Sequence, residues 1–243
     1  MPGLGTIVNV VSVIVGGILG LLFGKKIKDT VRGSITAVLG LATMFVGISG
    51  ALAYMLKPAA DGTLETYGSL MLIISLAVGT LIGELLRLED LLERFGDWIK
   101  KKVHAENDTG FTAAFVSASL ITCVGAMAVV GSIQDGLAGD HSTLFAKALL
   151  DFMIVIVLSS AMGAGAIFAF IPIAILQGGI TALSHAAKPL LENGSLISDL
   201  TLVGSVMIFA VGVNLTFGKK FRVANMLPAL VVTLIWSVAS MLI

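Results

Sequence analysis

Long apolar stretches alternate with short polar ones along the whole chain. Apolar runs fall at residues 5–23, 34–54, 69–86, 111–131, 144–183, 200–217 and 224–243. Most continue for about 20 residues, the length at which a helix crosses a hydrocarbon core. None has the period-two alternation of a barrel strand. The run 144–183 is too long for one crossing and is broken by SSAMGAGA around Gly163 and Gly165. A glycine pair permits a tight reversal, so this run is read as two spans and the total as eight. The pattern predicts an all-α, polytopic transmembrane helical bundle, a single transmembrane domain over residues 1–243.

One polar stretch has a period of its own. In ELLRLEDLLERFGDWIKKKVH, residues 84–104, the side chains Leu85, Leu88, Leu92, Phe95 and Ile99 recur at helical spacing. Trp98 stands beside them and three lysines follow. This predicts an amphipathic helix at the cytoplasmic membrane surface, serving as a brace or as a contact surface for a partner protein.

Composition sharpens the choice of solvent. The chain is 57% hydrophobic and 12% charged, with a mean hydropathy of +1.03, whereas soluble domains carry about 25% charged residues. So few polar side chains cannot cover a water-exposed exterior, and the lipid bilayer is the expected surrounding. Short cytoplasmic loops are rich in Lys and Arg. Lys25, Lys26, Lys28, Arg32, Arg87, Arg94, Lys100, Lys101, Lys102, Lys219, Lys220 and Arg222 make up twelve of the 15 basic residues. Eight spans put all of these loops on one side, with both termini outside; seven would throw Lys219, Lys220 and Arg222 to the other face. The first residues, MPGLGTIVN, lack a basic n-region, so the first run is expected to stay as a span. The formal net charge of zero, with no basic patch interleaved with aromatics, speaks against nucleic-acid binding. Cys123 is alone, which excludes a disulfide within the chain and a cysteine metal cluster. No cofactor motif is present.

Parts of the chain repeat. Ser12-x-x-Val15-Gly16-x-x-x-Gly20 recurs as Ser75-x-x-Val78-Gly79-x-x-x-Gly83, and Thr43-x-x-Val46-Gly47 is loosely echoed by Thr122-x-Val124-Gly125. We read this as a repeated helical hairpin. Glycines four apart, including Gly24, let helix backbones approach closely, within the chain or across a homodimer.

GTIVN, SLAVGTLIGELL, CVGAMAVVGSIQDGLAGD, KALLD, ILQGG and VGVNLTFGKKFRVANMLPAL are spread over nearly the full length. In these segments the chain resembles the YdfK/YqgA-like family of bacterial inner-membrane proteins, a family of unknown function. The resemblance implies a multi-pass protein of the bacterial cytoplasmic membrane. It lends no substrate, cofactor or catalytic residue.

The polar residues inside the apolar runs carry whatever chemistry there is. Charge near the bilayer centre is expensive, and such groups face protein or water. Span five begins near Ser142, which puts Asp151 at about mid-depth at 1.5 Å per residue. Lys147 lies one turn outward on the same face. The pair is either a neutralised link between helices or a site where a cation or proton exchanges. Asp135 and Asp140 flank Gly136 and Gly139 in the expected break between spans four and five. There they either cap the next helix and support a turn or line an outer vestibule. Asn9 and Gln177, in the outer parts of spans one and six, would join these four in one hydrated cavity. Glu84 and Asn214 belong to the inner side, as interhelical hydrogen-bond partners or ligands. Asn225 and Pro228 begin span eight.

These ingredients fit a transporter or channel for a small solute or cation acting through buried carboxylates. The alternative is a structural or regulatory membrane protein working through its amphipathic helix. An enzyme is not expected. LAGD at 137–140 departs from the GxGD signature of membrane aspartyl proteases at Leu137, and His104, His141 and His185 are scattered.

Overall fold

The computed structural model describes residues 2–24, 28–58, 62–123, 126–191 and 194–242. Lys25, Lys26 and the Val124-Gly125 echo therefore lie outside the described residues. The helices are α1 (Leu4–Gly24), α2 (Asp29–Met55), α3 (Ser69–Leu86), α4 (Leu88–Lys102), α5 (Phe111–Cys123), α6 (Ala126–Ala138), α7 (Ser142–Met162), α8 (Phe170–Leu191), α9 (Gly194–Phe217) and α10 (Pro228–Leu242). Short 3-10 helices at Ala164–Ala169 and Val223–Met226 precede α8 and α10. A small antiparallel hairpin, β1 (Leu56–Pro58) with β2 (Leu64–Thr66), joins α2 to α3. Among the described residues, seven helical stretches are long and apolar enough to cross a membrane, and the α5–α6 pair makes an eighth.

Three expectations change. Span four is not one straight helix over 111–131: α5 and α6 are inclined at 75°. Just before the break, the Thr122 hydroxyl donates to the Ala118 carbonyl at 2.7 Å, a back-bond that loosens a helix. Helix α6 then runs on to Ala138, so Asp135 lies inside a helix and not in the break; Gly139, with φ +65, ends it. The amphipathic helix begins at Leu88, not 84. Arg87 adopts a left-handed conformation that closes α3, and Leu85 stays on α3, largely exposed. The reversal at Gly163 is as expected. Its φ of +109 suits glycine, and Asp108 accepts from Ala164 N at 2.9 Å to start the 3-10 helix.

The contacts gather into two compact units. The first comprises residues 1–39 and 90–188. Its frame is α1 against α7. The buried side of α1 is Gly5, Thr6, Asn9, Val13, Gly16, Gly17, Gly20 and Gly24, a stripe of small and polar residues at helical spacing. Gly16 meets Phe152, Gly20 meets Ile156 and Ser159, and Gly24 meets Ser160. Contacts advance by four residues on both helices, so the two run parallel and nearly touch backbones. A β-carbon at Gly16 would stand 2.8 Å from the Phe152 carbonyl oxygen. In the same unit the apolar side of α4 is partly satisfied, with Ile99 packed among Phe111 and Phe115. Leu91 and Trp98 remain exposed.

The second unit holds residues 40–89 and 189–243. Gly79 and Gly83 of α3 press against Ala229 and Asn225, in antiparallel sense, and Met71, Leu202, Val203 and Ala229 form its core. Gly47 of α2 approaches Ser205 and Phe209 of α9 in the same manner. Each copy of the repeated glycine motif thus serves close packing within its own unit.

Such packing tolerates no added volume. Gly20→Ala is expected to destabilise the protein by about 1–3 kcal/mol. Gly33→Ala, at an exposed position with nothing within 4 Å, should be neutral or slightly stabilising. Thermal unfolding of both variants in detergent reads the difference.

Candidate functional site

Helix α7 is apolar all round except on one stripe. Its buried positions include Leu144, Lys147, Ala148, Asp151, Val155 and Leu158, while Phe145, Leu149, Leu150 and Met153 are exposed. The two charged residues therefore sit on the protein-facing side, as the cost of placing charge in lipid demands. Helix α7 has 21 residues and Asp151 is its tenth. At 1.5 Å per residue that places Asp151 at the centre of a helix about as long as the hydrocarbon core is thick.

The Lys147 ammonium donates to both carboxylate oxygens of Asp151, at 2.9 and 2.8 Å. Asp151 is 2% and Lys147 7% exposed. From α1, Asn9 Nδ2 donates to Asp151 Oδ2 at 2.9 Å and to Gln177 Oε1 of α8 at 3.3 Å. Four of the expected site residues thus form one connected network. The carboxylate fixes its sense. An ionised carboxylate only accepts, so Asn9 must present its nitrogen to Asp151. That leaves Asn9 Oδ1 facing elsewhere. Gln177 must likewise offer its oxygen to the second Asn9 N–H, which turns Gln177 Nε2 away. Both Asn9 Oδ1 and Gln177 Nε2 are buried without a hydrogen-bond partner. Cys123, the last residue of α5, lies within electrostatic reach of Lys147 and Asp151.

The other expected site residues stand apart. Asp135 is fully buried and serves the start of α1. Its carboxylate accepts from Gly3 N at 3.1 Å and Gly5 N at 3.0 Å, and lies 2.7 Å from His141 Nδ1. A carboxylate is favoured at free helix amides, so Asp135 is a cap supplied by a neighbouring helix, and the Asx-turn reading is corrected. Asp140 is exposed and accepts from Ser142 N at 3.0 Å and Ser142 Oγ at 2.7 Å. The backbone bond first, then the hydroxyl, holds its carboxyl below the usual carboxylate range. That contribution to the start of α7 is present at neutral pH and lost on acidification. A single hydrated cavity holding both aspartates with Asp151 is therefore not what forms. Asn214, in the second unit, clamps the turn after α9. Its Oδ1 accepts from Lys220 N and Phe221 N at 2.8 and 2.9 Å, and its Nδ2 donates to Phe221 O.

Two buried carboxylates were not among the expected site residues. Glu89 is 3% exposed; it accepts from Ala224 N at 2.8 Å and pairs with Lys219 at 3.1 Å. Its own N–H donates to Asn225 Oδ1 at 2.6 Å. It lies in a charged stretch where nothing distinguishes it from Asp90 or Glu93. Asp199 is 4% exposed and accepts from Ser237 Oγ of α10 at 2.6 Å. Its charge, and then burial, raise the Tyr67 phenol above its usual range. Asp199 was legible only as a flank of the run 200–217, because α9 starts earlier, at Gly194. Among the described residues no cluster of His, Cys, Asp and Glu could hold a metal ion.

The arrangement so far is that of a polytopic helical membrane protein with a hydrogen-bonded lysine–aspartate pair at mid-helix. Comparison with known proteins agrees on the broad class. The chain is 30% identical over 228 residues to the uncharacterized membrane protein YdfK of Bacillus subtilis (strain 168), covering 94% of this chain and 93% of that one. It is 28% identical over 244 residues to the uncharacterized protein YqgA of Escherichia coli (strain K12), covering 97% of each. No solved structure matches the chain. A family model for a protein of unknown function, DUF554, matches residues 4–238, and the chain belongs to that family.

Proposed function

We propose that the protein carries a small polar solute or cation across the bacterial cytoplasmic membrane, with Lys147, Asp151, Asn9 and Gln177 as its binding site. The observation that carries this reading is the pair of orphaned buried atoms, Asn9 Oδ1 and Gln177 Nε2, beside a mid-helix ion pair. Each buried polar atom without a partner costs free energy, and here a spare acceptor and a spare donor belong to one network with the ion pair. A site that receives a ligand has donors and acceptors to spare. The inclined α5–α6 pair supports the same reading, since discontinuous helices are where transporters form their sites. In this reading the basic loops face the cytoplasm and both termini face outside, and the chain performs no covalent chemistry.

Flux measurements in proteoliposomes test this directly. With a panel of alkali cations, amines, carboxylic acids and amino acids, at least one compound should be taken up. Asp151→Asn should lower that uptake about tenfold or more, while Glu65→Ala, at an exposed position of β2, should leave it intact. No uptake of any compound, or equal uptake by Asp151→Asn, contradicts the proposal.

A second reading has one specific observation in its favour. Asp151 is neutralised bidentately by Lys147 with almost no exposure, as in a fixed structural link. In that case the protein acts through its surface, with α4 as the contact. Removing one partner of a buried pair leaves an unpaired charge and costs about 3–5 kcal/mol, whereas an apolar replacement of both is often harmless. Lys147→Met and Asp151→Leu should each destabilise, and the double variant should recover most of the loss in thermal unfolding. A stable double variant with unchanged phenotype in the host favours the structural link; a stable double variant without flux favours transport.

A further inference from the structure

The composition of the network says more than that a polar ligand fits. It contains one ammonium, Lys147, and one carboxylate, Asp151, within hydrogen-bond distance, so its net charge is zero. It also contains one unused acceptor, Asn9 Oδ1, and one unused donor, Gln177 Nε2. Among the buried described residues of α7, α1, α8 and α5 no other charged side chain appears, and the buried carboxylate of α6, Asp135, is taken up by Gly3 N, Gly5 N and His141. A ligand with a net charge would convert a neutral cluster at mid-membrane into a charged one. That is the situation low-dielectric surroundings penalise most. A net-neutral ligand with both charges avoids it.

We infer that the site recognises a small zwitterion, an α-amino acid in its neutral form. This rests on the transport reading above for its physiological meaning, but the binding chemistry stands on the network alone. Binding is an exchange of ion pairs. The ligand ammonium takes the place of Lys147 on Asp151, with Asn9 Oδ1 as the second acceptor. The ligand carboxylate takes the freed Lys147, with Gln177 Nε2 as the second donor. One ion pair opens, two form, and the two orphaned atoms are satisfied. No proton or net charge has to move. Until a zwitterion binds, Lys147 and Asp151 neutralise each other, which gives a lysine and an aspartate a reason to share this stripe where two apolar residues would cost less.

Thermal unfolding of the full chain in non-ionic detergent tests this with glycine, alanine, serine and leucine as probes. Ethylamine and propionate serve as the two half-molecules, and sodium and potassium chloride control for ionic strength. At least one amino acid should raise the unfolding temperature saturably, as a ligand of the folded state does, and neither half-molecule should do so at the same concentration. Gln177→Glu keeps the oxygen that accepts from Asn9 but replaces the spare donor with a like charge. It should weaken amino-acid binding about tenfold or more, as should Lys147→Gln, read as loss of the amino-acid-induced shift from a starting unfolding temperature that both variants lower, because each leaves the buried cluster with a net charge. Ethylamine or a metal cation matching the amino acids would overturn the zwitterion assignment and leave transport of a cation intact. No shift with any of the four amino acids would overturn it as well. Amino-acid binding in detergent without uptake into proteoliposomes would uphold the zwitterion site and remove the transport reading.

Discussion

The Lys147–Asp151 pair is the constraint around which the first unit is arranged. Two charges at the middle of a helix that spans the hydrocarbon core must be turned from lipid, paired, and given hydrogen bonds for their remaining valences. Helix α7 does the first by placing both on its buried stripe. Their spacing of four residues does the second. Asn9 does the third for Asp151 and passes its other N–H to Gln177 of α8, and it arrives there only because α1 lies against α7 with almost no side chain between them. The glycines at 16, 20 and 24 of α1 thus have a chemical consequence beyond packing, since they hold the Asn9 amide 2.9 Å from the carboxylate. Asp135 completes the arrangement at the other end of α1 by taking the free amides of Gly3 and Gly5. A helix whose start is fixed by a carboxylate and whose length is fixed by glycine contacts has little freedom to slide.

The second unit uses the same materials to a different end. Its close contacts are again glycine on backbone, at Gly79 and Gly83. Its buried carboxylates, however, are occupied by the chain itself. Glu89 takes the Ala224 amide and the Lys219 ammonium, and Asp199 takes the Ser237 hydroxyl. Glu89 pins the junction of α3 and α4 to the turn before α10, where the Asn225 side chain also bonds. These carboxylates are supports, and although Asn225 Nδ2 beside Glu89 is also left without a partner, a spare donor and a spare acceptor share one network with an ion pair in the first unit.

Much of this was legible from residue order alone. Spans show because a helix in lipid must be apolar for about 20 residues, and the reversal at Gly163 shows because a glycine pair interrupts a run too long for one crossing. Asn9, Lys147, Asp151 and Gln177 were picked out for the same reason, being polar where polarity is costly, and all four meet. Asp135 lies inside α6 and not in the break because Gly139 ends the helix, while Gly136 is a packing contact against Ser184; two glycines follow the residue and only one is a terminator. The bend between α5 and α6 was hidden because both halves are apolar and periodicity is blind to direction. Glu89 and Asp199 were missed because each stands at the edge of a polar stretch, where burial depends on what another helix brings to it.

The account depends on Asp151 being ionised inside the membrane-spanning part of the chain, opposite Lys147. Infrared difference spectroscopy between the wild type and Asp151→Asn, in bilayers at neutral pH, addresses that state directly. The account predicts loss of an ionised carboxylate band that resists exchange with bulk buffer, with no protonated carboxylic acid band in the wild type. A protonated acid band assigned to Asp151, or a carboxylate that titrates freely with the external pH, would contradict it.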